Sequence, residues 1–338
     1  MAGKSARECG VAEKRLRVIA TRRLPEPVEA RLAAMFDFVP GPAEAPLSRE
    51  ALDTALGTAE VLITTLSDRI DADRLVAAGT GLRLLANFGA GVDHLDVAAA
   101  ARRGIAVTNT PDVATEDTAD VAMVLILAVT RRLPEAFALL QSNQWEGWSP
   151  DLLLGGRIAG RRLGILGMGR IGQAVARRAA AFGMEIGYNN RNRLPEAVET
   201  ALGARWWPSL DQMIAQCDVL SINCPHTPAT YHLVNARRIA LMKPGAVVVN
   251  TSRGEVIDEN ALTRALRAGE IGGAGLDVFE KRREINPRLR ALPNAVLLPH
   301  MGSATVEGRV AMGERVIANI IALANGAEPP DLVTPRNA

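Results

Sequence analysis

The sequence predicts an α/β protein in which one doubly wound parallel-sheet domain is inserted into a second, discontinuous one. Short apolar or β-branched runs alternate with helical stretches, a pattern typical of parallel strands joined by helical crossovers. A strand, a glycine turn and a helix lie in the middle of the chain, with α/β sequence before this unit. The 338 residues are enough for two domains that each bury a core. These three observations together define the expected fold class.

The chain before the glycine turn is expected to alternate strands with helices. The strands are expected at residues 17–20, 61–65, 82–86 and 105–108, and the helices at residues 28–35, 72–78 and 97–103. Thr115 is the expected N-cap of a long apolar helix that runs to about residue 132, because two acidic residues follow it. A further helix is expected at residues 134–142.

The glycine turn opens a second run of alternating elements. Its strand, residues 163–166, precedes a helix that is expected to carry Ile171, Val175, Ala179 and Phe182 on one face. Further strands are expected at residues 184–188, 218–222, 246–250, 273–278 and 296–298, and helices at residues 210–216, 235–241, 260–268 and 305–324. The simplest architecture is an outer domain of residues 1–113 and 304–338 around an inserted domain of residues 114–303, with the active site between them.

The charge and composition of the chain exclude several function classes. The net charge is +2, from 39 basic and 37 acidic residues, which gives no electrostatic basis for binding nucleic acid or a membrane surface. The longest apolar run, residues 121–129, is too short to span a bilayer, and the basic N-terminus lacks the apolar segment of a signal peptide. Three cysteines suggest neither a disulfide scaffold nor a metal site, so the sequence favours the cytoplasm.

The glycine turn, Gly-Met-Gly-Arg-Ile-Gly at 167–172, predicts a dinucleotide site. The first glycine would allow the tight turn, the second would let a diphosphate approach the backbone, and the third would let the helix lie close to the strand. The N–H groups and the positive dipole at the start of that helix favour an anion. The expected cofactor contacts in this turn are Gly167, Met168, Gly169, Arg170 and Ile171. The inserted domain, and by its similar alternation the outer domain, is therefore expected to be Rossmann-like.

The turn after the next strand predicts which dinucleotide binds. An NAD-type fold carries an acidic residue here, which accepts hydrogen bonds from the ribose hydroxyls. This chain carries Tyr-Asn-Asn-Arg-Asn-Arg at 188–193 instead. Asn190, Arg191 and Arg193 suit a 2′-phosphate, which a carboxylate would repel. We expect NADP(H) to be preferred and NAD(H) to be the second option, with a solvated polar turn as the alternative interpretation.

Two charged residues at the expected carboxyl ends of strands indicate the chemistry. Arg253 follows one such strand and His300 follows another, and ligands of open α/β sheets bind at those ends. Alone, each residue is more often structural than catalytic. Together, beside a nicotinamide, they favour carbonyl reduction. Arg253 would hold a carboxylate or polarise a carbonyl, and His300 would protonate the oxygen as hydride arrives.

Five motifs resemble the D-isomer-specific 2-hydroxyacid dehydrogenase family, and above all its glyoxylate/hydroxypyruvate reductase branch. They are Gly-Ala-Gly-Val-Asp-His at 89–94, Gly-Met-Gly-Arg-Ile-Gly at 167–172, Asn-Thr-Ser-Arg-Gly at 250–254, Gly-Leu-Asp-Val-Phe at 275–279 and Pro-His-Met-Gly-Ser at 299–303. The resemblance covers residues from about 16 to 324. It implies NADPH-dependent reduction of a small 2-keto acid, glyoxylate or hydroxypyruvate, and a homodimer formed largely through the cofactor domains.

The resemblance also implies roles for individual residues. Arg253 matches the arginine that orients the substrate, and His300 matches the proton donor. Ser67 and the segment 145–148 are expected to shape the pocket. A glycine-rich loop matches the one whose backbone N–H groups receive the substrate carboxylate, namely Gly89, Ala90 and Gly91. Further residues match the family's cofactor contacts, namely Cys224, Pro225, Thr230, Thr251 and Asp277.

One position departs from the family pattern. The family carries a glutamate and then a proline shortly after Gly-Leu-Asp-Val-Phe, and the glutamate keeps the catalytic histidine protonated; here Arg282 and Arg283 occupy these positions. An arginine beside His300 would lower the pKa of the imidazole, whereas a carboxylate would raise it. Three interpretations stay open: Glu284 or Glu280 substitutes, Arg282 points to solvent, or the protein is poorly active.

A second function class stays open for the same reason. The family includes transcriptional corepressors, so the missing glutamate also allows a nucleotide-sensing binding protein that is weakly active or inactive. Formate, phosphonate and 3-phosphoglycerate dehydrogenases share the fold. Keto-acid reduction with NADPH is the primary hypothesis, because Arg253, His300 and the basic turn at Arg191 all favour it.

Overall fold

The structure is a computed structural model that describes residues 15–281 and 284–335. The described chain divides into two compact units, one within Met1–Pro111 and Arg309–Ala338 and the other within Asp112–Gly308. We call these the outer unit and the inner unit. The domain boundaries expected from the sequence, after residues 113 and 303, lie close to this division.

The described part of the outer unit alternates strands with helices. Its elements are β1 (Arg17–Ala20), α1 (Glu26–Met35), β2 (Asp37–Val39), α2 (Arg49–Thr58), β3 (Val61–Thr64), α3 (Ala72–Leu75), β4 (Leu84–Asn87), α4 (Val97–Arg102) and β5 (Ala106–Thr108). The strands form one parallel sheet in the order β2-β1-β3-β4-β5. Leu56, Leu62 and Leu85 are buried in the apolar cluster on one face of this sheet.

The inner unit begins with two helices and continues with alternating elements. They are α5 (Thr115–Thr130), α6 (Leu133–Gln141), β6 (Arg162–Leu166), α7 (Arg170–Ala181), β7 (Glu185–Asn189), α8 (Glu196–Leu202), β8 (Ala204–Trp206), α9 (Leu210–Gln216), β9 (Val219–Ile222), α10 (Ala236–Ile239), β10 (Val247–Asn250), a 3-10 turn (Gly254–Val256), α11 (Glu259–Ala268), β11 (Gly273–Leu276), α12 (Pro287–Arg290) and β12 (Ala295–Leu297). The last helix, α13 (Val306–Ala324), leads back into the outer unit.

The strands of the inner unit form a parallel sheet in the order β12-β11-β10-β9-β6-β7-β8. Successive residues of β10 are buried on opposite faces: Val247 and Val249 belong to one apolar cluster and Val248 belongs to the other. A sheet covered on both faces explains why its strands are continuous apolar runs. The predicted fold class, two doubly wound parallel-sheet units, is therefore confirmed.

Two details of the expected helices are wrong. The N-cap of α5 is Ala114, Thr115 is the first helical residue, and no side chain caps this helix end. In α7, Val175 and Ala179 are buried, but Phe182, which was expected on the same face, is the C-cap and is 48% exposed. The helix ends before Phe182 can continue its apolar face.

Several elements were not expected from the sequence. β2 and β8 are three-residue strands at the sheet edges, where one side lacks a neighbour and the continuous apolar run of a central strand is absent. The helices α2, α8 and α12 were also not expected from the sequence. Among the residues that the structure describes, no helix is both long and apolar enough to cross a membrane.

Candidate active site

The glycine turn after β6 has one structural requirement at each glycine. Gly167 has a φ of +95°, and a Cβ at this position would lie 2.6 Å from the amide nitrogen of Cys224. A Cβ at Gly172 would collide with the carbonyl oxygen of Gly167. A Cβ at Gly169 would meet no heavy atom within 4 Å. The first and third positions thus require glycine for the fold, whereas the second leaves an open approach to the backbone.

The N-terminus of α7 lies at this open approach. Gly169 is the N-cap and offers no side chain, so the first-turn N–H groups, which have no partner within a helix, face an uncapped end. Met168 is buried, and Ile171 is half-buried. The side chain of Arg170 is exposed and pairs with Asp112. An uncapped helix N-terminus beside an open glycine fits the diphosphate of a dinucleotide.

The turn after β7 holds a buried carboxylate. Arg193 donates to both oxygens of Glu199, at 2.7 to 3.2 Å, and Tyr188 donates its hydroxyl to Oε1 of Glu199 at 2.5 Å. These bonds lower the pKa of Glu199, and the bond from Arg193 has a larger effect than the bond from Tyr188. Asn190 donates to the carbonyl of Asn192 at 3.2 Å. The sequence prediction missed Glu199, because no apolar periodicity marks a polar anchor of this kind.

The loop after β9 packs against the glycine turn. Cys224 is buried, and burial raises the pKa of its thiol to about 11, so this residue is no thiolate nucleophile near neutral pH. Thr230 closes the loop by donating its hydroxyl to the carbonyl of Pro225 at 2.7 Å and accepting from the N–H of Thr227 at 2.7 Å. Within residues 15–281 and 284–335, no group of His, Cys, Asp or Glu side chains could hold a metal ion.

The loop after β10 carries Arg253 and is anchored by Asn250. Oδ1 of the fully buried Asn250 accepts from the N–H and the hydroxyl of Ser252, both at 3.0 Å, and its Nδ2 donates to the carbonyl of Arg253 at 2.8 Å. Arg253 is half-buried. The hydroxyl of Thr251 is buried and has no hydrogen-bond partner among the described residues. A polar group of a bound ligand could supply this hydrogen bond. Asn250 is an anchor that the sequence prediction missed.

The loop after β12 carries His300 and is held by Asp277. The carboxylate of Asp277, which follows β11, is fully buried; Oδ1 accepts from the N–H of Met301 at 2.7 Å and Oδ2 from the N–H of Gly302 at 2.8 Å. Burial raises the pKa of Asp277, and the backbone donors, including that of His300, oppose the rise. His300 is exposed and has a φ of +60°, in the left-handed region that side chains rarely adopt. Asp277 thereby fixes an unusual loop conformation.

Glu280 is committed to another partner. Its Oε1 lies 2.9 Å from Nε2 of His232, and its N–H donates to the buried Glu259 at 3.1 Å. This arrangement disfavours Glu280 as a substitute for the family's glutamate, because it would have to leave His232. Glu284 is exposed. The expectations for Arg282 and Arg283 lie outside the described residues.

In the outer unit, the loop of Gly89, Ala90 and Gly91 follows β4. Asn87 donates to the carbonyls of Gly89 and Gly91 at 2.8 and 3.0 Å, and Asn109 donates to that of Ala90 at 2.7 Å. The N–H of Gly89 donates to the carbonyl of Asn87 at 3.0 Å. The N–H groups of Ala90 and Gly91 donate to no acceptor among the described residues, so two of the three expected donors remain for a carboxylate.

Two further positions were expected to shape the pocket. Ser67 is exposed in the outer unit, beyond β3, and its hydroxyl lies 2.9 Å from that of Thr65. Trp145 and Trp148, in the inner unit beyond α6, are 52% and 82% exposed.

The sheet of the inner unit brings the separate loops to one edge. Arg253, Asp277 and His300 follow β10, β11 and β12, which are neighbours, and the carboxyl ends of parallel strands share an edge. The glycine turn and Cys224 follow β6 and β9, where the strand order reverses, which is the point at which such sheets bind dinucleotides. A cation and a titratable imidazole therefore share an edge with a dinucleotide cradle.

Comparisons with known proteins identify the family of the chain. The profile described as "D-isomer specific 2-hydroxyacid dehydrogenase, NAD binding domain" matches residues 123–302. A glyoxylate reductase of Thermococcus onnurineus is 46% identical over 321 residues, which is 94% of this chain and 95% of that protein.

Solved structures indicate the same family. A protein of Thermus thermophilus superposes with a TM-score of 0.88 at 42% identity, covering 94% of this chain and all of that one. An NADPH-dependent glyoxylate/hydroxypyruvate reductase of Sinorhizobium meliloti, in complex with NADP and malonate, gives a TM-score of 0.83 at 37% identity, covering 94% and 97% of the two chains. The chain therefore belongs to the D-isomer specific 2-hydroxyacid dehydrogenase family, as an NAD(P)-dependent oxidoreductase of 2-keto acids similar to its glyoxylate reductases.

Proposed function

We propose that the protein reduces glyoxylate or hydroxypyruvate to the 2-hydroxy acid with NADPH. The observation that carries the proposal is the placement of Arg253 and His300, on the loops after β10 and β12, at the edge of the sheet that also carries the glycine turn. The names of the relatives from Thermococcus and Sinorhizobium support the two substrates. The inner unit, with residues 114–303, is the NADP-binding domain in this proposal, and residues 1–113 with 304–338 form the substrate domain.

Each site residue has a definite task in this reaction. Arg253 orients the keto acid by pairing with its carboxylate or polarising its carbonyl, and the N–H groups of Ala90 and Gly91 receive the carboxylate. His300 gives a proton to the carbonyl oxygen, which becomes the hydroxyl of the product. The bound nicotinamide supplies the hydride. The buried Asp277 acts on the reaction by holding the loop of His300.

The preference for NADPH rests on the turn after β7. Arg191 is exposed there, makes no ion pair among the described residues, and can meet a 2′-phosphate with charge-assisted hydrogen bonds. Glu199, a buried carboxylate of the helix that follows this turn, is neutralised by Arg193 and so does not repel the phosphate. NAD(H) lacks this phosphate and is the weaker cofactor in the proposal.

The test is oxidation of NADPH in the presence of glyoxylate or hydroxypyruvate, from mildly acidic to mildly basic pH. We expect turnover in the wild type and a loss of kcat/KM of about 10²-fold or more in Arg253→Ala, since the variant loses a charge-assisted pair with the substrate. Arg264→Ala, at a position on α11, is the matched control and should keep its activity. Equal rates for the wild type and Arg253→Ala would rule out the proposed reaction.

The alternative function is a nucleotide-sensing binding protein, because Arg282 stands in place of the family's glutamate. The same assay separates the two functions through Arg282→Glu. A carboxylate at this position would favour the protonated imidazole of His300, so the reductase should become faster and its pH optimum should move upward. NADPH binding without turnover in both the wild type and Arg282→Glu would favour the binding protein instead.

We also propose a homodimer, in which a second copy covers an apolar surface of the inner unit. Helix α6 has no buried residue, and Phe137 and Leu140 are 60% and 61% exposed. Exposed apolar patches of this kind mark interfaces. The double variant Phe137→Glu and Leu140→Glu should be monomeric by light scattering, whereas Val76→Glu, at an even more exposed position of the outer unit, should remain dimeric. A dimeric double variant would exclude α6 as the interface.

The proposed location is the cytoplasm. Cys217 and Cys224 are buried free thiols, as a reducing compartment favours.

A further inference from the structure

We propose that Arg193 is a positioning residue that shapes the cofactor turn, defined as residues 189–194, and leaves the contact with the 2′-phosphate to Arg191, the cation to which the proposed function assigns it. The inference rests on the proposed preference for NADPH and assigns the residues that determine it. It separates two arginines that the sequence alone makes equivalent.

Arg193 is held by a buried carboxylate on the following helix. Its Nε lies 3.0 and 3.2 Å from the two oxygens of Glu199, and its Nη2 lies 2.7 Å from Oε2. Glu199 is 7% exposed. If Arg193, whose side chain is 57% exposed, turned towards a phosphate, it would leave a buried carboxylate without its cation, which is unfavourable. The guanidinium also lies 5.7 Å from the centre of the Trp206 ring.

Tyr188 connects the same carboxylate to the backbone of the cofactor turn. This residue of β7 is fully buried, donates its hydroxyl to Glu199 at 2.5 Å and accepts from the N–H of Leu194 at 2.9 Å. Strand, turn and helix α8 are thereby joined through a single carboxylate. The network fixes the end of the turn, and with it the direction in which Arg191 leaves the backbone.

Arg191, unlike Arg193, is not held by a carboxylate of the described chain. It is exposed and makes no ion pair or hydrogen bond among the described residues, so it can meet a phosphate without breaking an internal contact. The phosphate therefore meets one unpaired guanidinium from Arg191, while the charge of Arg193 is already balanced by Glu199.

The experiment is isothermal titration with adenosine 2′,5′-bisphosphate and with AMP, which differ only in the 2′-phosphate. In the wild type we expect the bisphosphate to bind more tightly, and in Arg191→Ala this advantage should fall by about tenfold or more. In Glu199→Gln, which loosens the turn, the bisphosphate should bind several-fold more weakly while the affinity for AMP stays within about twofold. Unchanged binding of AMP shows that the variant is folded.

If Arg193 contacted the phosphate directly, Glu199→Gln would change the affinity for the bisphosphate in the opposite direction. Glu199→Gln would then free Arg193 and remove a negative charge, so tighter binding of the bisphosphate would overturn the inference. If Glu199→Gln loses AMP binding as well, Tyr188→Phe replaces it: weaker binding of the bisphosphate alone supports the inference, and unchanged binding contradicts it. A wild type that binds both nucleotides equally would overturn the NADPH preference itself, and the inference with it.

Discussion

Replacing His300 with glutamine is expected to lower kcat for the reduction of glyoxylate by about 10²- to 10⁴-fold, the usual contribution of a positioned general acid. The carbonyl oxygen gains negative charge as hydride arrives, and glutamine can donate a hydrogen bond to this oxygen but cannot deliver a proton. His300 lies at the carboxyl end of β12, and the diphosphate cradle lies after β6. Binding of NADPH should therefore be unchanged, and titration of the variant with NADPH checks this.

The matched control is His232→Gln. His232 is also a histidine of the inner unit, but its Nε2 lies 2.9 Å from Glu280, so it has a structural partner. We expect this control to lose less than about tenfold in kcat. A loss of less than tenfold in His300→Gln, or an equal loss in the two variants, would remove His300 from the role of proton donor.

Replacing Asp277 with asparagine is expected to impair both stability and catalysis. The carboxylate accepts N–H groups of Met301 and Gly302, and an amide can provide one oxygen only, so its NH₂ group would face a backbone donor. Leaving such buried groups unsatisfied costs about 1–3 kcal/mol of the free energy of unfolding. Without this anchor, the left-handed conformation of His300 is no longer enforced, and kcat should fall by about tenfold or more.

Urea denaturation and steady-state kinetics measure the two effects. The pKa of Asp277 is raised in the folded state, so the protonated carboxyl favours folding. This contribution to stability is fully present below the unfolded-state pKa, and it is lost as the pH rises through the folded-state pKa. The asparagine variant should lack this pH dependence. Asp258→Ala, which removes the N-cap of α11, should lose about 0.5–2 kcal/mol of stability with kcat unchanged. If Asp277→Asn also kept its kcat, Asp277 would have no part in positioning His300.

The central strands and the order of the loops could be predicted from the sequence, because burial on both faces leaves a strong apolar signal. The runs that become β6, β9, β10 and β11 are of this kind. The three roles of the glycine turn also agree with its geometry, since Gly167 and Gly172 have no room for a Cβ and Gly169 has room on its open side. Steric requirements of this kind follow from the motif alone.

The anchors of the loops could not be predicted in the same way. Asn250 and Glu199 hold loops through hydrogen bonds to groups two to eleven residues away in the chain, and no apolar periodicity marks such polar residues. The left-handed conformation of His300 depends on the buried Asp277, which follows the neighbouring strand β11 and lies more than twenty residues earlier in the chain. Arg193 is an example: its charge led us to expect a contact with the 2′-phosphate from the sequence, whereas its side chain is paired with Glu199 in the structure.

The order of the inner sheet has a consequence for protein engineering. The cofactor turn follows β7, whereas Arg253, Asp277 and His300 follow β10, β11 and β12, three to five strands away in the order β12-β11-β10-β9-β6-β7-β8. At a strand spacing of about 4.8 Å, this separation is roughly 14 to 24 Å. Substitutions so far apart usually contribute additively to the free energy. The cofactor turn and the loop of His300 can therefore be altered one at a time, and the effects of the substitutions can be combined in a single variant.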